Sequence, residues 1–308
     1  MKQSNAAVYR PSLLKRIHEN RAGRTSQSKR YTRSKAGNAV YVVVLLILGV
    51  FSVLPLIYCI ATSFKPLDEL MIFPPRFFVN RPTLQNYLAL PGLLSNLRVP
   101  LSRYIFNSFF VAAITTFLYV TVSTLAAFVL TKSPLKSKKR IFTVVQYALL
   151  FNTYTLAIPQ YLIFSYIGVI DTYWAYILPH IATTMGVFLM KQYMDGYVPY
   201  ALIEAAHIDG AGWIGIFTRI VLPIVRPCVL TLVMFSFLGI WNSVPSGTIF
   251  SESLKTLPTV MSTIAAGGLA RSGSSMATSV ILMIFPIAVY LISQGSIKET
   301  MGSAGIKG

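Results

Sequence analysis

The chain has 308 residues, 54% of them hydrophobic and 12% charged, with a formal net charge of +18 and two cysteines. Soluble domains carry about 25% charged residues, and here the apolar excess comes as long uncharged runs, which points away from a water-soluble globule and to a polytopic membrane protein. Cys59 and Cys228 both fall inside apolar runs and are too few for a disulfide framework or a CxxC metal site.

Residues 1–38 hold ten of the 27 Lys and Arg residues and a single acid, Glu19. Such an arm fits the basic flank of a first membrane helix, attracted to anionic lipid, better than a nucleic-acid-binding tail. No cleavable signal peptide is expected, because the apolar run starts only at Ala39 and exceeds the length of a signal core. The first span is read at 39–63, 25 residues without a charge, enough to cross about 30 Å of hydrocarbon. The proline-rich stretch from Lys65 to Arg103 cannot be one long helix, and a short helix is expected to start near Thr83–Tyr87. Span two is placed at 105–130, rich in Thr, Ser and Ala, which suit close packing in lipid. Five basic residues and no acid follow in 132–140. Spans three and four are placed at 141–168 and 173–190, joined by a short loop containing Asp171. A polar loop at 191–220 leads to span five at 221–241. A second polar loop precedes span six at 276–297, and 298–308 is a glycine-rich tail. The expected fold is an all-α, six-transmembrane-helix protein with both termini on one side. Twenty of the 27 basic residues then fall on that side, which makes it cytoplasmic.

Apart from Arg226 near the start of span five, the spans contain almost no ionisable group, His180 after Pro179 being the exception. Ion-coupled carriers need a titratable or cation-binding group at membrane depth, so the energy source is expected outside the spans. The chain has no Gly-Lys dipeptide and hence no phosphate-binding Walker loop, and neither His-Glu-x-x-His nor Gly-x-Ser-x-Gly occurs. Catalysis by this chain is not expected. Asn152, Thr155, Gln160 and Asn242 offer uncharged groups that hydrogen-bond a sugar without the desolvation cost of a charge. Tyr154 offers a ring to stack on it. The same residues also suit plain interhelical packing and interfacial belts.

The stretch Glu204-Ala205-Ala206-His207-Ile208-Asp209-Gly210 reads as a small-residue helix stopped by glycine. Pro199 suits its first turn. Ala205 and Ala206 leave a low surface for another protein, and Glu204 supplies a carboxylate for a basic partner. Gly212 continues the turn, and Phe217, Ile220 and Leu222 are expected to pack back on the bundle.

Glu204-Ala205-Ala206, then Gly210, Ile220 and Leu222-Pro223, resembles in every spacing the EAA motif of bacterial ABC-importer permeases, and it lies, as there, between the fourth and fifth spans. Asp209-Gly210-Ala211, the long loop that begins Ser63-Phe64-Lys65-Pro66, and the terminal Ala304-Gly305-Ile306-Lys307-Gly308 look more narrowly like the shorter permease of maltose-type carbohydrate importers. The resemblance covers about residues 39–308 and implies a type I importer permease in the bacterial inner membrane. It implies that Glu204, Ala205, Ala206, Asp209, Gly210 and Gly212 belong to a coupling helix seated on a cytoplasmic ATPase. It also implies two ATPase subunits that hold ATP and Mg, a second permease chain, an extracytoplasmic sugar-binding protein and no cofactor on this chain. The expected function is ATP-driven uptake of a carbohydrate, an oligosaccharide, by alternating access. The competing readings are an ABC permease for a non-sugar solute, an ion-coupled secondary carrier and a membrane enzyme.

Overall fold

The computed structural model describes residues 35–95, 99–151, 155–181, 183–245 and 247–304. The basic tail through residue 34 and residues 305–308 lie outside them. Among the described residues the fold is all α. The chain divides into two units, 1–56 and 57–308. In the first, helix α1 (Lys35–Ser63) begins; its apolar side chains from Val40 to Leu56 are exposed along its length.

The second unit is built on α3 (Leu101–Lys132), 32 residues long and so about 48 Å at 1.5 Å per residue. Buried positions recur at three- and four-residue spacing through Tyr104, Asn107, Ser108, Val111, Ala112, Thr115, Tyr119, Ser123 and Ala127. Most are small or hydroxylated, which lets neighbouring backbones come close in lipid. Phe106, Phe117, Val122 and Leu125 point the other way and are exposed. Helices α6 (Trp174–Ile181), α7 (Thr184–Tyr197) and α9 (Arg226–Trp241) pack on the buried stripe, and α11 (Ser272–Ala304) packs on α9. Gly186 of α7 sits where a Cβ would lie 2.4 Å from the Tyr119 hydroxyl and 2.5 Å from that of Ser123. The α3–α7 seam therefore closes only over glycine.

Two apolar cores share α3. One gathers Tyr104 and Val111 with Trp241, Leu257 of α10 (Leu257–Ala265) and Ala277. Within it the Trp241 indole donates to the Leu282 carbonyl at 2.9 Å, and Phe109 meets Phe285 edge-on at 4.4 Å. The other gathers Tyr119 and Phe128 with Met190, Met194, Val225 and Leu232.

Among the described residues three helical stretches are long and apolar enough to cross a membrane: Gly37–Ser63, Leu101–Lys132 and Leu269–Gly295. A fourth candidate is the pair Trp213–Ile224 and Arg226–Trp241, which meet at 80°. That bend has a covalent cause. Pro227 lacks the N–H that would bond to the Pro223 carbonyl, so the ladder fails at Val225. The stretches expected as single spans at 141–168 and 173–190 are each divided. The first becomes α4 (Lys138–Ala148) and α5 (Ala157–Tyr166), and the second becomes α6 and α7. Pro159 stands in the first turn of α5, where a missing N–H is harmless. Pro179 weakens the end of α6 by orphaning the Ala175 carbonyl.

The connection after α1 is held by buried polar groups. The Glu69 carboxylate accepts the Asn80 and Arg81 backbone N–H groups at 3.1 and 2.9 Å, and the Lys65 ammonium donates to the Arg76 carbonyl. A short helix, α2 (Gln85–Ser95), begins where the Thr83 hydroxyl accepts the Gln85 N–H. Its Asn86 amide donates to the Ser63 and Lys65 carbonyls at 2.8 Å each.

Candidate functional site

The loop after α7 opens with Pro199, whose extended backbone (φ −61°, ψ 140°) starts α8 (Tyr200–Ile208). The helix ends in a Schellman stop. Gly210 takes φ +81°, its N–H bonds to the His207 carbonyl at 3.0 Å, and the Ala211 N–H reaches the Ala206 carbonyl at 2.9 Å. Space around Gly210 is open, so backbone conformation alone demands the glycine. Gly212 is extended and precedes the helical turn Trp213–Ile216.

Helical spacing divides α8 into two faces. Ile203 and Ala206 are buried against the Met190 core, while Leu202, Glu204, Ala205, Ile208 and Asp209 are open. Ala206 thus anchors the helix to the bundle and is not part of a low outer surface; Ala205 and Glu204 are. The open side is strongly apolar for a loop: Ile208 is 87% and Ile214 82% exposed. Ile216, Val221 and Val225 are buried, Phe217 and Ile220 pack partly against the core, and Leu222 lies open.

Two contacts join this loop to the lower half of α3. The Trp213 ring packs edge-on against His207 at 4.4 Å and lies 6.0 Å from Phe128, which also meets Phe217 at 5.2 Å. The Lys132 ammonium, on a residue only 5% exposed, donates to the Val198 carbonyl at 2.5 Å, just before α8. Neither Trp213 nor Lys132 carries a signal in the sequence that would single it out for this role.

Of the residues proposed to line a solute path, the three among the described residues, Thr155, Gln160 and Asn242, do not line one cavity together. Asn152 and Tyr154 lie outside the described residues. Thr155 is exposed ahead of α5. Asn242 is exposed just past α9, and its amide donates to the Leu238 carbonyl of its own helix at 2.9 Å. Among the described residues Gln160 lines a cavity of about 830 Å³ between α4, α5, α6 and α7. Its other polar lining groups are His180, Thr183 and Thr184, with Phe164, Leu178, Pro159 and Pro179 among the apolar ones. The His180 Nδ1 lies 3.0 Å from the Tyr176 carbonyl. Among the described residues no group of three or more His, Cys, Asp or Glu is placed to hold a metal ion.

No family model matches the chain. It is 32% identical over 220 residues to the protein LplC of Bacillus subtilis, 68% of this chain and 69% of that one. It is 31% identical over 199 residues to the B. subtilis polygalacturonan/rhamnogalacturonan transport system permease protein YtcP, 65% of this chain and 67% of that one. To the sulfoquinovosyl glycerol transport system permease protein SmoH of Agrobacterium fabrum it is 29% identical over 270 residues, 86% of this chain and 91% of that one. The chain belongs to the carbohydrate-uptake permeases of bacterial ABC importers. Its fold agrees with that assignment. A bacterial ABC transporter that imports the acidic polysaccharide alginate superposes with a TM-score of 0.68 at 17% identity, over 86% of this chain and 99% of that one. The α8 loop and the α5–α7 cavity are therefore features of an all-α membrane permease.

Proposed function

We propose that this permease moves a carbohydrate, an oligosaccharide, into the cytoplasm by alternating access, driven by ATP hydrolysis on a separate subunit. The observation that carries the coupling is the open face of α8: Glu204, Ala205 and Ile208, with Ile214 beside them, form an apolar surface with a carboxylate on a helix that is itself anchored by Ile203 and Ala206. Exposed apolar side chains clustered on a loop mark a protein contact, and the carboxylate pairs with a basic group of the partner. On this reading residues 191–220 dock on a cytoplasmic ATPase, and both termini are cytoplasmic. Two ATPase subunits bind ATP and Mg, this chain binds no cofactor, and ATP hydrolysis is foreign to it. A second permease chain completes the path, and an extracytoplasmic binding protein delivers the sugar. The carbohydrate cargo is supported by the relatives named for saccharide uptake.

The test is Glu204→Lys in cells that depend on the importer. Uptake should fall at least about tenfold, with the folded permease still in the membrane and the ATPase no longer co-purifying in mild detergent. Unchanged uptake rules out docking through α8. Uptake that survives ATP depletion but not uncouplers replaces the importer by an ion-coupled carrier.

A further inference from the structure

We propose that residues 71–78 form an interfacial anchor, with Phe73 and Phe78 seated among the acyl chains of the leaflet that receives the end of α1 and Arg76 on a lipid phosphate. This anchor is independent of the cargo and of the ATPase.

The depth of the segment follows from its contacts with α1. The apolar stretch Gly37–Ser63 has 27 residues. About 20 suffice for the hydrocarbon core, so about three or four lie beyond it at each end. Tyr58, five residues before the last, then falls just inside the hydrocarbon edge. The Phe77 ring packs on the Tyr58 ring at 5.6 Å. The Lys65 ammonium lies 5.1 Å from the centre of the same Tyr58 ring and donates to the Arg76 carbonyl. The chain thus leaves α1 at Ser63 and folds back to the level of Tyr58, bringing residues 76 and 77 with it.

The composition of the segment suits that level. Met71-Ile72-Phe73-Pro74-Pro75-Arg76-Phe77-Phe78 carries one charge. Phe73 is 92% and Phe78 71% exposed, and Met71 and Ile72 are open beside them. Clustered apolar side chains of this kind mark a contact with lipid or protein. Pro74 and Pro75 have no N–H to satisfy and the Arg76 carbonyl is taken by Lys65, which lowers the cost of bringing the backbone close to lipid. The Arg76 side chain is exposed and has no acidic partner among the described residues. An arginine at the interface lays its stem along acyl chains and its guanidinium on a phosphate.

The segment is also held in shape at its base. Besides the Glu69 bonds to Asn80 and Arg81, Arg81 pairs with Asp68, and the Thr83 N–H bonds to the Phe64 carbonyl at 2.8 Å. A tip fixed in advance loses little freedom when it is covered. The level of Tyr58 decides what covers it. A water-soluble protein that approaches from outside the bilayer stops at the headgroups, whereas the acyl chains of the leaflet are already there. Seated so, the loop fixes the height at which α1 leaves the membrane.

The experiment uses the complete importer in vesicles of equimolar phosphatidylcholine and phosphatidylglycerol. The photoreactive p-benzoylphenylalanine replaces Phe73 in one variant and Phe78 in another, each checked for unchanged thermal unfolding. After irradiation, mass spectrometry of the peptide that carries the probe shows what it has joined. Phospholipid adducts are expected at both positions. Phosphatidylglycerol should exceed phosphatidylcholine among them about threefold, the pull of one basic residue on an anionic lipid, and the two should approach parity in Arg76→Gln. Adducts with another polypeptide in place of lipid, whether a binding protein or a second permease chain, make the segment a protein contact and overturn the anchor. No adduct at either position puts both rings in water and overturns it as well. A phosphatidylglycerol excess that survives Arg76→Gln overturns the role of Arg76.

Discussion

The two ends of α3 carry loops of opposite construction. Near its start, the segment 247–257 is tied down by directional bonds. The Asn107 amide donates to the Ser253 and Lys255 carbonyls at 2.8 and 2.9 Å and accepts the Tyr173 hydroxyl at 2.8 Å. The Tyr104 hydroxyl donates to Glu252 at 2.9 Å, the Ser108 hydroxyl accepts the Leu257 N–H at 2.8 Å, and the Asp171 carboxylate takes the N–H groups of Phe250 and Ser251. Near the end of α3, the loop 198–225 has the Lys132 bond to Val198 and otherwise rests on apolar contacts through Ile203, Ala206, Ile216 and Phe217. Hydrogen bonds fix an orientation, whereas apolar burial tolerates sliding. The first loop is built to stay put. Under the proposed coupling the second would move with whatever covers Ile208 and Ile214 and would pass that movement to α3 through Trp213 and Phe128.

The sharpest way to break this contrast is at Asn107, which is fully buried. Asn107→Leu leaves the Lys255 carbonyl without its partner, leaves the Ser253 carbonyl and the Tyr173 hydroxyl only their 3.3 Å bonds from Arg103, and should destabilise the permease by about 2–4 kcal/mol. Thermal unfolding in detergent, together with faster proteolysis between residues 247 and 256, would register it. A loss no larger than that from truncating an exposed side chain such as Leu202→Ala would mean that the segment is held by burial, like the other loop.

Gly210 sets the smaller effect at the opposite end. Gly210→Ala meets no neighbour but must keep φ at +81°, which costs about 1–2 kcal/mol for a residue with a Cβ. Gly210→Asn should recover most of the loss, because asparagine tolerates that region. Because the stop is local, the effect should appear as weaker retention of the ATPase and slower uptake, with the melting temperature shifted by only a few degrees. A melting temperature lowered as far as by Asn107→Leu would show that the α8 loop is part of the same cooperative core.

How far these features can be read in the sequence follows from the kind of signal each leaves. α1, α3 and α11 appear as uncharged runs, because a lipid-crossing helix needs apolar length above all. Composition does not report backbone continuity, so 141–168 and 173–190 look like whole spans although the chain breaks within each. Pro159 and Pro179 are visible, but whether a proline opens a helix, as Pro159 does, or falls inside one, as Pro179 does, depends on where the turns around it begin. The stop of α8 is legible in Asp209-Gly210, since one glycine conformation decides it. The burial of Ala206 opposite exposed Ala205 depends on the phase of a short helix against a core that is assembled from distant segments. Thr155 and Asn242 are the right residue types for a solute path, and only the fold shows that the Asn242 amide turns back on its own helix. Asn107 reads as one polar residue in an apolar run; its partners lie 146 and 148 residues away.

The smallest effect, and the one most specific to the tied loop, is at Asp171. This residue adopts φ +59°, a region that aspartate tolerates better than most side chains. From there its Oδ1 accepts the Phe250 and Ser251 N–H groups at 2.9 and 2.8 Å, and its Oδ2 accepts the Ser251 hydroxyl. The Ser251 hydroxyl and N–H, with the Phe250 N–H, hold its carboxyl below the usual carboxylate range. All three bonds favour the charged form, so the group binds a proton less readily folded than unfolded. Its contribution is fully present above the unfolded value, near pH 4, and is lost as pH falls through the lower folded value. Amide exchange at Phe250 and Ser251 should therefore stay slow from pH 7 to about pH 4 after correction for intrinsic rates, and quicken below it. Asp171→Asn keeps an acceptor and tolerates the backbone angle, so it should raise exchange modestly at pH 7 and remove the acid dependence. The 198–225 loop, which has no carboxylate in its anchor, should show no matching transition. If both loops loosen together on acidification, the permease is unfolding as a whole, and the separation of a tied end from a sliding end fails.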